Sequence, residues 1–130
     1  MTLNVEVVSP ERILWSGQAE MVIARTVGGG DIAFLTGHAP FVGALGIGKV
    51  TIRPEQGDDE LVAVHGGFVE VSNDRVTILS DVAEVASQID VERARRAKER
   101  AEAKLREQHD AMAAAALARA QLRLQVAGAA

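Results

Sequence analysis

Ser87-Gln88-Ile89-Asp90-Val91-Glu92-Arg93-Ala94 is the seam at which this chain changes character. Upstream lie all 3 prolines and, up to Gly67, eleven of the 12 glycines; from Val91 to Ala127 there is neither. Glycine and proline punctuate the turns between short strands, whereas an unbroken Ala/Glu/Lys/Arg/Leu run suits a long helix. The seam therefore separates a β part, residues 1–86, from a helical part, residues 87–130. Ser87 or Asp90 can cap the first helix, because a short oxygen-bearing side chain there accepts from the free N–H groups of the first turn.

Working outward, 130 residues suffice for one small β domain and an appendage too short to build a core of its own. Hydrophobic residues make up 48% of the chain but aromatics only 3%, so the core must be Val, Ile, Leu and Ala, with little stacking surface for bases. With no cysteine there is no disulfide, thiolate metal site or cysteine nucleophile, and a cytoplasmic setting is the expectation. The N-terminus lacks the basic start and apolar run of a signal peptide, and no apolar stretch approaches a membrane span of about 20 residues. Any membrane association is expected to run through a partner. Charge is unevenly placed: residues 1–88 carry five basic and twelve acidic groups, residues 89–130 nine basic and six acidic. That complementarity favours docking of the tail on its own β domain, and equally favours an acidic partner or an anion such as a nucleotide.

In the β part, Leu3–Val7 and Val50–Arg53 alternate apolar with polar, as half-buried strands do. Met21–Val27, Ile32–Leu35, Leu61–His65, Phe68–Val71 and Val76–Leu79 are further strand candidates. Ser72-Asn73-Asp74 reads as a hairpin turn, Gly66-Gly67 as another break, and Glu55–Asp59 as a polar loop tip. This spacing predicts a sandwich or barrel. In the tail, Ala94, Ala97, Ala101, Leu105 and Met112 form one stripe, and Leu117, Ala118, Leu122, Leu124 and Val126 a second. Glu92/Arg96 and Glu102/Arg106 have acid-first spacing for helical ion pairs. Asp110 can cap a second helix, giving a hairpin, but no glycine or proline enforces the turn. One continuous helix of ~38 residues, about 57 Å long, is also allowed, and a tail with two such states has the makings of a switch.

Two glycine-rich stretches imitate nucleotide loops and fail on context. Gly43–Lys49 has phosphate-loop spacing, but Val50 replaces the required Ser/Thr and a strand follows where a helix must start. Gly28-Gly29-Gly30-Asp31 resembles a dinucleotide fingerprint, but the Gly37 and Pro40 beyond it preclude the necessary helix. His38, His65 and His109 show no metal-ligand spacing, and no nucleophile motif accompanies them, so neither a metal nor a catalytic site is expected. The tail arginines are more specific. Arg93 and Arg100, seven apart, share a helical face; Arg119 and Arg123 share one on a second helix. In a hairpin these four guanidiniums can converge into forks suited to phosphate oxygens, with Asp90 and Glu84 accepting from a base amine or holding the arginines in place. A solvated charged face is the plainer reading of the same spacing. Nucleic acid is not an expected partner, given the acidic β part and the scarcity of aromatics.

Thr36-Gly37-His38-Ala39-Pro40-Phe41-Val42-Gly43-Ala44-Leu45, then Gly66-Gly67-Phe68-Val69-Glu70-Val71, then Val76-Thr77-Ile78-Leu79-Ser80-Asp81 closely resemble the epsilon subunit of bacterial F-type ATP synthase, and the resemblance runs through the whole chain in order. It implies a ten-stranded β-sandwich followed by a two-helix C-terminal domain. It also implies a non-catalytic place in the central stalk with the gamma subunit and the membrane ring of c subunits, at the cytoplasmic face of the membrane.

The resemblance also implies two sites. Asp31 matches an acidic position facing the polar loops of the rotor ring, and His38 lies in the adjoining segment near gamma and the ring. Ile89-Asp90-Val91-Glu92-Arg93-Ala94 matches the Ile/Leu-Asp-x-x-Arg-Ala motif of members that bind ATP without consuming it. On that pattern Glu84, Asp90, Arg93 and Arg100 line a nucleotide site from the first-helix side, and Arg119 and Arg123 from the second. The segment Gln108–Ala116 departs from the pattern by being Ala-rich and shortened. No cofactor is required on this reading; ATP would be a regulator. With the hairpin folded, rotation is free; with the helices extended along gamma, basic residues would meet acidic segments of the catalytic alpha and beta subunits and suppress hydrolysis.

Overall fold

Two strands of 13 residues each organise the β part, β5 (Phe41–Arg53) and β6 (Glu60–Ser72), paired antiparallel over nearly their whole length. The computed structural model describes residues 1–129; Ala130, the last residue of the expected tail, lies outside the described residues. Around these two strands stand β1 (Leu3–Val8), β2 (Ile13–Ala19), β3 (Met21–Thr26), β4 (Gly30–Leu35), β7 (Arg75–Leu79) and β8 (Ala83–Val85). A single 3-10 turn, Ala86–Gln88, leads into α1 (Val91–Glu107) and α2 (Ala111–Val126).

The strands form one hydrogen-bonded sheet of order β2-β1-β7-β6-β5-β3-β4, with β8 also on β6; β1 and β7 run parallel. The C-terminal limb of β6 pairs with β7, while its N-terminal limb pairs with β8. β5 meets β3 chiefly through its C-terminal limb. The sheet thus folds over at the middle of β5 and β6, and both halves face one core of Leu3, Val5, Val22, Phe34, Val50, Val62, Val71 and Ile78, each at most 1% exposed. The described strands number eight, where ten were expected, because β5 and β6 each supply a limb to both halves.

The corner falls at Gly66-Gly67, which the sequence reading took as a break between strands. Their φ angles are 90° and 127°, and a Cβ on Gly67 would lie 2.0 Å from the Leu79 carbonyl oxygen. Only glycine lets the strand bend here without ending. At the β6–β7 turn, Asn73 and Asp74 take positive φ (50° and 58°), the geometry of a tight hairpin, and the Asp74 carboxylate accepts from Gly37 N–H at 2.7 Å. β2, β8 and the front of β5 had no counterpart in the strand assignment.

The tail is a hairpin rather than one rod. Asp110 Oδ1 accepts from Met112 N–H (2.9 Å) and Ala113 N–H (3.4 Å), starting α2 afresh after an extended Gln108. α2 presents two faces. Leu122 and Val126 pack with Ala63 of β6 and Ile89 of the linker. Ala113, Ala120 and Leu124, also buried, lie across the helix from Leu122, on the side where α1 packs. α2 therefore lies between the sandwich and α1, the alanines permitting close approach of the helices. The expected Glu92/Arg96 ion pair is replaced by Glu92–Arg95 at 2.6 Å, and Glu102/Arg106 does not pair among the described residues.

Candidate functional site

Where α1 starts, α2 ends and β8 passes beneath, the chain encloses a cleft of about 310 Å³ lined by Glu84, Gln88, Asp90, Arg93, Ala94, Ala97, Arg100 and Arg123. Each part has a local cause. Asp90 Oδ1 accepts from Arg93 N–H at 3.0 Å, capping α1 and fixing the first turn. Two helical turns later Arg100 reaches the same side as Arg93, with Ala97 between them leaving the floor open. Arg123 comes from α2, and its Nε donates to Glu84 Oε1 at 2.5 Å, linking helix to sandwich. Both side chains are about three-quarters withdrawn from solvent, so this charge-assisted bond is worth more than an exposed pair.

Five of the six residues expected at a nucleotide site, Glu84, Asp90, Arg93, Arg100 and Arg123, thus line one cleft. The sixth, Arg119, lines the adjoining groove between the helices together with Ala97, Arg100 and Arg123, so the two spaces are continuous along those side chains. Three guanidiniums stand around this cleft against two carboxylates, Glu84, which Arg123 holds, and Asp90, which caps α1; the excess of arginine suits an anion with several oxygens.

Beneath this site lies His65, which in sequence is one more residue of a strand. The His65 side chain is 3% exposed, and neither ring nitrogen has a hydrogen-bond partner. Its Nε2 stands 3.8 Å from Glu84 Oε1, the oxygen that Arg123 holds. Burial, reinforced by Arg123 and to a lesser degree Arg119, outweighs the Glu84 carboxylate and pushes the imidazole pKa down to about 4. Residues 65, 84 and 123 meet only in three dimensions, so no spacing signal announces them.

Asp31, on the glycine-rich tip, and His38, in the adjoining segment, stand at opposite ends of β4. Asp31 sits beside the Gly28–Gly30 turn, exposed, with Arg25 Nε 3.2 Å from its Oδ1. His38 follows the far end, where its N–H donates to Leu35 O and its ring packs edge-on against Phe34 at 5.0 Å. The intervening strand puts them on the order of 13 Å or more apart. A surface that sequence reasoning missed lies on the outer face of β5, β6 and β7: Phe68 is paired between Ala44 and Leu79, and Phe68, Leu79 and nearby Val42 are 56%, 42% and 69% exposed. Phe68 alternates with buried Val69 and Val71 and shares the outer face of β6 with Glu70.

A folded-over β-sandwich, a helical hairpin held to it by a small apolar anchor and, among the described residues, the Glu84–Arg123 ion pair, and a cleft rich in arginine at their junction define a two-part protein. Residues 2–86 match the family model of the ATP synthase delta/epsilon chain β-sandwich domain, and residues 87–128 that of its long α-helix domain. The chain belongs to this ATP synthase delta/epsilon family, on the side of the bacterial epsilon chains, which are non-catalytic subunits of that enzyme. It is 46% identical to the ATP synthase epsilon chain of Moorella thermoacetica, with 98% of each chain covered. It is 48% identical to that of Streptomyces griseus over 75% of this chain and 77% of the relative. In fold it is similar to a chain in a Euglena gracilis mitochondrial ATP synthase structure containing OSCP, F1 and the c-ring (TM-score 0.71, 22% identity, 98% of this chain and 78% of the other). No helix among the described residues is long and apolar enough to cross a membrane.

Proposed function

We propose that the chain is a central-stalk rotor subunit of a proton-translocating ATP synthase, joining gamma to the ring of c subunits at the cytoplasmic face of the membrane. In this reading its α1–α2 hairpin acts as a brake on ATP hydrolysis. The observation that carries the reading is the cleft uniting Glu84 of the sandwich with Arg93 and Arg100 of α1 and Arg123 of α2. A polyphosphate seated there touches all three elements at once and so holds the hairpin down. The hairpin's hold on the sandwich is modest: buried Ala63, Ile89, Leu122 and Val126, plus the Glu84–Arg123 bond. An element attached so lightly can detach, extend along gamma and bring its arginines to acidic segments of the alpha and beta subunits. ATP at 100 times its dissociation constant, with no affinity for the extended form, would favour the docked form by about 2.7 kcal/mol. It acts as a regulator and is not consumed. The exposed Val42, Phe68 and Leu79 row is suited to gamma, being apolar, and the polar Asp31 tip to the loops of the ring.

Deleting residues 88–130 in the assembled enzyme tests the brake. ATP hydrolysis is expected to rise; an unchanged rate would leave a purely structural coupling subunit with a permanently packed tail.

A further inference from the structure

Most buried polar atoms in folded proteins find a partner, so a buried imidazole with two unpartnered nitrogens calls for an explanation. His65 projects from the face of β6 on which α2 lies, one pleat along from Ala63, against which Leu122 and Val126 pack. The charged groups around it come from several elements. β8 contributes Glu84, paired across from Ala63. α2 contributes Arg123 and Arg119. Arg93 and Arg100 of α1 line the cleft that Glu84 enters. On β5, Ile47 stands opposite His65, with Lys49 one step along the same face, while Asp81 lines the crevice on the other side.

One carboxylate oxygen, Glu84 Oε1, thus lies between two candidate cations, Arg123 Nε at 2.5 Å and His65 Nε2 at 3.8 Å. Docked, the arginine holds it and the imidazole is neutral. Were α2 to leave, Arg123 and Arg119 would depart together while Glu84 remained on β8 beside His65. We propose that His65 is an acid-sensitive release for the helical hairpin, its protonated ring taking over the Glu84 carboxylate that Arg123 holds in the docked form. The inference rests on the reading of the hairpin as detachable.

The sign follows from the two states. In the docked form the His65 pKa is depressed to about 4; in the detached form, hydrated and beside a carboxylate, it returns to about 6.5 or above. The detached form therefore binds the extra proton. Docking is at full strength above about pH 6.5 and weakens by roughly tenfold per pH unit below it, levelling off near pH 4 after a loss of roughly 300-fold. Acid would thereby favour the extended, braking form.

Because the chain contains no cysteine, a spin-label pair can be introduced at exposed positions on sandwich and helix, Glu70→Cys with Arg106→Cys. The distance distribution is then recorded from pH 8 to 4.5, with the strand circular dichroism checking that the sandwich stays folded. The expected result is a docked population that falls with acid in the otherwise native chain and is flat in His65→Gln. The His65 ring resonance, followed by NMR in the chain without substitutions, is expected to titrate well below pH 6. Parallel loss of docking in both proteins, or an ordinary His65 titration in the docked chain, overturns the proposal. If docking ignores pH but Leu122→Ala detaches the hairpin, the acid release fails and the detachable hairpin stands; if nothing detaches it, both fail.

Discussion

Leu122→Ala should loosen the hairpin without touching the sandwich. Leu122 is 6% exposed and packs with Ala63, Ile89 and Val126, a cluster separate from the sandwich core. Replacing a buried leucine by alanine costs about 2–5 kcal/mol, the cost rising with the cavity left behind. Here Leu122 also borders an open groove with Ile23, Ile47 and Gln125, so the space can be partly refilled by neighbours or water. The lower part of the range applies, about 2–3 kcal/mol. At about 1.4 kcal/mol per decade that is a roughly 30- to 150-fold fall in the docked-to-detached ratio. The assay uses Ala63, which is fully buried beneath α2. In an Ala63→Cys background the single thiol reacts with a disulfide reagent only when the hairpin lifts, so its rate reports the open population when closing outruns labelling. Adding Leu122→Ala should raise that rate by the same roughly 30- to 150-fold, leaving the strand circular dichroism and its melting temperature unchanged. An unchanged thiol rate, or loss of the sandwich along with the hairpin, would refute the claim that the two are held by a small separable contact.

Two further substitutions address the fold and its outer face. Gly67→Ala combines a φ of 127° with a Cβ 2.0 Å from a backbone oxygen, and is expected to cost about 4 kcal/mol or more; Gly46→Ala, whose Cβ would meet only Val27 at 3.8 Å, should stay within about 1 kcal/mol. Denaturant midpoints compare the pair, and equal midpoints would show that the sheet corner does not depend on that glycine. Phe68→Glu, on a side chain 56% exposed, should change the stability of the isolated chain by no more than about 0.5 kcal/mol yet abolish copurification with gamma; retained binding would move the interface elsewhere.

The two-part organisation was legible in the sequence because glycine and proline are confined to its first part; both helix caps at Asp90 and Asp110, and the sharing of one face by Arg93 and Arg100, were legible because each depends on residues within one or two helical turns. The front of β5 was not. Gly43, Gly46 and Gly48 look like loop residues, but in the sheet a Cβ on Gly43 would collide with the Phe41 ring at 2.7 Å and one on Gly48 would crowd Arg25 at 3.0 Å. Those glycines make room for neighbouring side chains within a strand. β2 was hidden because Ile13-Leu14-Trp15-Ser16-Gly17 does not alternate apolar with polar, and its burial is only partial. The count of ten was what the resemblance implied; the residues themselves mark only β6 as two pieces, Leu61–His65 and Phe68–Val71, because its bend falls at Gly66-Gly67. The His65–Glu84–Arg123 cluster joins three distant segments, and nothing local in any of them marks it.

Regulation by the hairpin requires that the cleft bind a nucleotide across both helices. Titrating ATP into the isolated chain while following the backbone amides of Glu84, Asp90, Arg93, Arg100, Arg119 and Arg123 tests this most directly, with Arg93→Ala as the control. Saturable shifts on β8, α1 and α2 together, weakened in Arg93→Ala without disturbance of the sandwich resonances, are the predicted result. No shift at millimolar ATP, or equal affinity in Arg93→Ala, would contradict it and reduce the cleft to a helix cap and a charge pair.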